Sequence, residues 1–408
     1  MKKVIFAMVL LMGTNASFAQ QSVVKEAKSL KGKPEQAAQK IEAALTNAET
    51  KDDPATWKLA GDFQFSIYEG ESQKIYLQSI NPNDKANMPK MYASLLKMIE
   101  YYKVCDEKEL AMMQSNPKYK KLKFREKNAE IIKPRRGNLI NGGVDAINEQ
   151  KYADALKYFG AYVDLANSPM FEKDASVKAD TMITLSAAYA SMAANFAEDK
   201  ETMLKYAEIG KLDPNEGWRP LMYMSEYYKA LPDTVKWVAV LDEGVKKFPQ
   251  QDYFVGNLAD YYLTHSKTTE GIAMIDEMLK IKQSPYYYFV KGVLQLESKD
   301  YNNAVATLQN IVDLNDTMVP QAYSKMGDCY LFPAQDIANE ISTLAVDDPK
   351  YAPKEAEVKD LYRKAMPYYE KAKELAPSEK KLWQFLANIY WVLGDSKYEA
   401  IAKELGIE

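Results

Sequence analysis

Apolar residues recur along this chain at three- and four-residue intervals, and runs of alternating apolar and polar positions are nearly absent. The first spacing marks amphipathic helices; alternation would mark strands. The clearest unit starts at Tyr288. Tyr288, Lys291, Gly292 and Gln295 fall at i, i+3, i+4 and i+7, one stripe of a helix. Tyr301, Ala304, Leu308 and Ile311 lie in the same manner, so a second helix follows, with Asp300 placed to cap it. Gly292 and Ala304 are small where two antiparallel helices must approach closely.

The unit recurs. Leu221, Met224, Ser225 and Tyr228 predict a first helix, with Trp237, Leu241, Gly244 and Pro249 behind it. Val255, Leu258, Ala259 and Tyr262 predict the next, followed by Gly271, Ile275 and Met278. Tyr323, Met326, Gly327 and Tyr330 give another, and Trp383, Leu386, Ala387 and Tyr390 the last. Upstream, Leu139, Gly143, Tyr152, Ala155, Phe159 and Tyr162 fit one pair; Met182, Leu185, Ser186 and Tyr189, then Thr202, Tyr206, Ile209 and Pro214, fit another. Trp57, Ala60 and Gly61 begin a first helix, and Ala37 to Ala48 reads as a second helix before it. The small residues at 225, 259, 292 and 327 are spaced by 34, 33 and 35.

This pattern resembles the tetratricopeptide repeat (TPR), a helix–turn–helix of about 34 residues. The resemblance implies an all-α fold, a right-handed superhelix (solenoid) of antiparallel helix pairs. It divides the chain into an N-terminal helical region with diverged repeats (20–136), a core array (137–330) and a C-terminal repeat region (331–408). Two departures stand out. The distance from Tyr330 to Ala365 exceeds the repeat, so Leu331 to Lys354 reads as a first helix that runs on into a loop marked by Asp347-Asp348-Pro349 and Ala352-Pro353. A second helix resumes with Ala365, Tyr369, Ala372 and Pro377. The gap from 61 to 143 leaves room for a diverged repeat, with Tyr92, Leu95, Leu96 and Ile99 as its core.

The first residues carry a different signal. Lys2 and Lys3 precede an apolar run from Val4 to Met12, and Ser17-Phe18-Ala19 offers the small residues that a signal peptidase reads. Residues 1–19 are expected to be a signal peptide, cleaved after Ala19, which places the protein in the periplasm or makes it secreted. The run is too short to cross a bilayer, and no other stretch approaches a transmembrane length.

Composition narrows the chemistry. Gly (17) and Pro (18) are scarce in 408 residues, which suits long helices. The net charge of −4 gives no electrostatic reason to expect nucleic acid. His265 is the one histidine, and alone it builds neither a triad nor a His-rich metal site. No phosphate loop, nucleophile elbow or zinc-protease motif occurs. No enzymatic activity, cofactor or metal is therefore expected. Cys105 and Cys329 read as two buried thiols or, in an oxidising compartment, as a disulfide pair. Residues 118–136 hold nine Lys and Arg against Glu126 and Glu130. That segment suits an anionic envelope component, or is a solvated connecting helix.

Stacked pairs leave an inner surface lined by first helices, and the TPR resemblance implies that a protein or peptide partner binds there. Positions just off the core stripe are Arg219, Met222 and Glu226; Tyr253, Asp260 and Leu263; and Tyr286, Phe289, Val293 and Leu296. Tyr253, Tyr286 and Phe289 are expected to form an aromatic surface there, or else to be inter-repeat core. The other reading is a glycan-binding helical-repeat protein with aromatic platforms. Trp57, Trp218, Trp237, Trp383 and Trp391 test it, because stacking on sugars needs several of them exposed together.

Overall fold

The eight small residues at 61, 143, 186, 225, 259, 292, 327 and 387 are all buried. Helices meet at them. The computed structural model describes residues 22–232 and 234–407. The export signal expected in residues 1–19 lies outside them. The chain is all-α, its helices packed in antiparallel pairs as in a TPR solenoid, and it forms two compact units divided between Tyr227 and Tyr228.

In the first unit, Pro34–Thr46 packs on Pro54–Gln78, and Pro54–Gln78 on Met88–Ser115. Gly137–Asn148 and Tyr152–Leu165 form a pair, Met182–Phe196 and Lys200–Gly210 the next. In the second unit Asp252–Thr264 pairs with Thr268–Ile281, Pro285–Glu297 with Tyr301–Asp313, Val319–Ile341 with Tyr351–Leu375, and Lys380–Leu393 with Lys397–Leu405. Each pair touches mainly its sequence neighbours, as a stack requires.

Large side chains of the following helix fill the space at the small residues. A Cβ on Gly143 would meet the Phe159 ring at 2.6 Å, and one on Gly292 the Leu308 side chain at 2.7 Å. Asp300 stands at the cap position before Tyr301–Asp313 but caps nothing with its side chain, which accepts instead from Asn303 Nδ2 at 2.8 Å. The stripe in Pro285–Glu297 is also wider than its spacing suggests. Tyr287 and Leu294 are fully buried beside Gly292, because a first helix faces its own partner and a neighbouring pair at once. Tyr287 donates its hydroxyl hydrogen to the Pro249 carbonyl at 2.8 Å.

Two hairpins are extended. Pro54–Gln78 and Met88–Ser115 run for 25 and 28 residues, against 13 for each helix of the pair at 285–313. Tyr92, Leu95 and Ile99 are buried in the second of these long helices, with Leu96 partly so. Its partner contributes Tyr68 to the same core. Buried Glu71 ties the hairpin near its turn, accepting from the Asn87 amide at 2.9 Å and pairing with Lys90 at 2.9 Å and Lys74 at 3.1 Å. Burial opposes its charge, but the amide and the two ammonium groups outweigh it and pull its pKa down to about 2.

The other extended hairpin is Val319–Ile341 with Tyr351–Leu375. The first helix runs on past Tyr330, as the spacing predicts. The loop is shorter than expected: it closes at Lys350, and Ala352-Pro353 lies inside the first turn of the next helix. A proline is tolerated there because the first-turn amides have no intrahelical acceptor.

Both hairpins join a buried tyrosine to a carboxylate and a lysine, the carboxylate buried at Asp328 and partly exposed at Asp62. In one, the Tyr102 ring lies on Gly61, its hydroxyl donates to Asp62 at 2.7 Å, and Lys58 pairs with that carboxylate. In the other, the Tyr369 ring lies on Gly327, its hydroxyl donates to Asp328, and Lys325 pairs with Asp328 at 2.6 Å. Burial, then the adjacent carboxylate, pushes both hydroxyls well above the ordinary tyrosine range.

Five of the turns between paired helices share one geometry. Gln150, Glu198, Ser266, Lys299 and Gly394 all have positive φ, and the amide after each reaches a carbonyl five residues back, as from Lys151 to Ala146 at 2.8 Å. This is the Schellman ending, which glycine adopts without a Cβ penalty. Gln150→Gly and Ser266→Gly are each expected to stabilise the protein by about 0.5–1 kcal/mol. Urea unfolding checks this; a lower midpoint for both variants would contradict the assignment.

Candidate partner-binding groove

In the second unit, Pro285–Glu297, Val319–Ile341 and Lys380–Leu393 are first helices of successive pairs. Together with residues 376–379 they line a groove of about 430 Å³. Phe289, Phe332, Leu382 and Phe385 form its apolar walls. Gln321, Ser324 and Ser378 bring neutral polar groups, and Lys325, Asp328, Glu379 and Lys381 bring charge.

The register of each helix puts these side chains there. The small residue of a first helix faces its own second helix. Positions three and six before it, and one after it, lie to one side of it, roughly 60–120° around the helix axis. Phe289 lies three before Gly292; Gln321, Ser324 and Asp328 lie six and three before and one after Gly327; Lys381 lies six before Ala387. The walls are held from behind. Phe289 packs on the cluster of Leu308, Ile311, Ala322 and Met326, and the Phe385 ring lies 5.3 Å from that of Tyr369. The buried Asp328 fixes Lys325 through their ion pair, so the hairpin device also forms part of the groove floor.

Among the residues expected to bind a partner, Phe289 reaches this groove. Tyr286 is half-buried, and its hydroxyl sits where a Cβ on Gly256 would be, at 2.4 Å. Tyr253 is half-buried and edge-on to Phe254 at 5.3 Å. Val293 and Leu263 are half-buried and Asp260 exposed. Leu296 does not face a groove: it is buried with Ala304 and Cys329, because the helix packs on two neighbours at that turn. Arg219, Met222 and Glu226 belong to the first unit. Arg219 bonds Glu216 at 2.6 Å and lies 4.5 Å from the Trp218 ring; Met222 is half-buried and Glu226 exposed. Gln321, Ser324, Asp328, Phe332, Lys381 and Phe385 escaped sequence reasoning. For four of them the same register, carried past Val293 into the next two repeats, was signal enough.

Of the tryptophans, Trp391 alone is exposed; Trp237 is buried, and Trp57, Trp218 and Trp383 are half-buried. They form no shared platform within either unit. Four of the nine cations in the basic segment are spent on internal pairs. Arg125 chelates Asp106 at 2.6 and 2.8 Å, Lys133 pairs with Asp174 at 2.6 Å, Arg135 with Glu69 at 2.8 Å, and Arg136 with Asp180. Lys118, Lys120, Lys121, Lys123 and Lys127 remain exposed. Cys105 and Cys329 are free buried thiols, each pushed by burial up to about 12. Among the described residues no three His, Cys, Asp or Glu gather as a metal would require, and no helix is long and apolar enough to cross a membrane.

No family model matches the chain, and no curated protein matches it. Solved structures give distant likenesses. A TPR repeats protein from Bacteroides fragilis is 19% identical over 62% of this chain and 97% of its own, with a TM-score of 0.33. A tetratricopeptide repeat protein from Parabacteroides merdae is 11% identical over 62% and 98%, with a TM-score of 0.34. Yeast Tom70 is 10% identical over 95% and 91%, with a TM-score of 0.30.

Proposed function

We propose that this protein is an exported scaffold that holds a protein or peptide partner in the periplasm or cell envelope, through the groove built by Phe289, Phe332, Leu382 and Phe385. The groove itself carries the reading. Three successive first helices form it in advance, its walls are apolar and its rim is polar. A partner that enters such a surface orders little of the receptor, so more of the contact energy appears as affinity. The arrangement of the tryptophans favours a protein partner over a glycan.

Ser324→Trp tests the site. Ser324 is half-buried on the groove wall, and an indole there occupies space that the partner would need. Loss of partner capture by about tenfold or more, with helicity unchanged, is the expected result. Capture equal to the parent would sink the assignment. Export rests on Lys2, Lys3 and the run Val4–Met12. Amino-terminal sequencing of the protein recovered from its host is expected to begin at Gln20; a start at Met1 would refute it.

A further inference from the structure

We infer that the occupant of the groove is an uncharged, extended peptide segment anchored by one large aromatic or aliphatic side chain. This rests on the groove being the partner site. The charges along its lining cancel: Lys325 and Lys381 stand against Asp328 and Glu379. Lys325 already faces a carboxylate that offsets its charge: Asp328 holds it at 2.6 Å, and Tyr369 in turn anchors Asp328. Glu379 and Lys381 carry opposite signs two positions apart on the exposed rim. An acidic tail or a basic run would leave one of these charges facing its own sign, at a cost in affinity.

The remaining groups fit a main chain and one side chain. Gln321 offers an amide donor and acceptor, and Ser324 and Ser378 offer hydroxyls that serve either way. None of the three side chains bonds another described protein group. Neutral groups of this kind match the alternating N–H and C=O of an extended peptide. Between them the three phenyl rings and Leu382 enclose an apolar space suited to one buried anchor. A segment with no such residue leaves that space to water and gains little.

Selection from a display library of random linear peptides, run in parallel on the protein and on its Ser324→Trp variant, tests this. Binders weakened by Ser324→Trp are expected to share one Phe, Trp, Tyr, Leu or Met within uncharged flanks. Replacing that residue by Ala is expected to lower affinity by about tenfold. Groove-dependent binders that share acidic or basic runs, or need a free terminal carboxylate, would overturn the proposed chemistry and leave the partner site standing. A selection with no binder sensitive to Ser324→Trp would overturn both.

Discussion

Gly210→Ala is expected to destabilise the protein by about 3 kcal/mol. Gly210 ends the helix Lys200–Gly210, and a Cβ there would lie 2.6 Å from the Ala188 nitrogen and 2.7 Å from its Cα. Both are backbone atoms of the paired helix, so no rotamer change relieves the contact. The two helices must part. Ala187, Ala190, Ala193 and Ala194 are all fully buried, so parting opens space beside small side chains that cannot fill it. Gly256→Ala is the control. Its Cβ would meet only the Tyr286 hydroxyl, the far end of a half-buried side chain that can swing aside. Alanine also suits a helix better than glycine, so this variant is expected to lose nothing or gain up to about 1 kcal/mol. Urea unfolding of both variants checks the contrast. Equal midpoints would mean that the backbones at Gly210 do not approach this closely.

Tyr369→Ala is expected to cost about 4 kcal/mol, and Tyr369→Phe about 2 kcal/mol. The alanine variant leaves a cavity between Gly327 and Phe385 and removes the bond to Asp328. The phenylalanine variant keeps the ring and removes only the bond. Asp328 then stays buried with Lys325 as its partner. Because Phe385 rests on Tyr369, the alanine variant is also expected to weaken groove binding, whereas the phenylalanine variant keeps the wall in place. A phenylalanine variant as unstable as the alanine variant would place the stabilisation in the hydroxyl bond instead of the ring.

Much of this architecture was legible in the sequence, for a physical reason. Helix pairs can approach only where a side chain is small, and the spacing of Ser225, Ala259, Gly292 and Gly327 records those approaches directly. Export and partner are different matters: one rests on residues 1–19 alone and the other on the groove. Hairpin length was less legible. Leu331 to Lys354 reads as a helix running on into a proline-marked loop, yet that loop ends at Lys350, because the proline at 353 falls where a helix accepts one. The carboxylates of the Tyr102 and Tyr369 devices read as ordinary surface charges, since nothing local links Asp62 to Tyr102 or Asp328 to Tyr369 across some forty positions. The groove was found by one residue, Phe289. The register that placed Phe289 applies equally to Gln321, Ser324 and Lys381, but the long insertion between the last two conceals that they belong to one row.

A partner held in the groove lies along the first helices of the second unit. Photo-crosslinking from a benzoylphenylalanine placed at single positions tests it most directly. Gln321 is exposed at the groove, and Gln309 is exposed on the second helix Tyr301–Asp313, outside the lining. The partner retained by the parent protein is expected to form an adduct from position 321 and none from position 309. An adduct from 309 with none from 321 would contradict it.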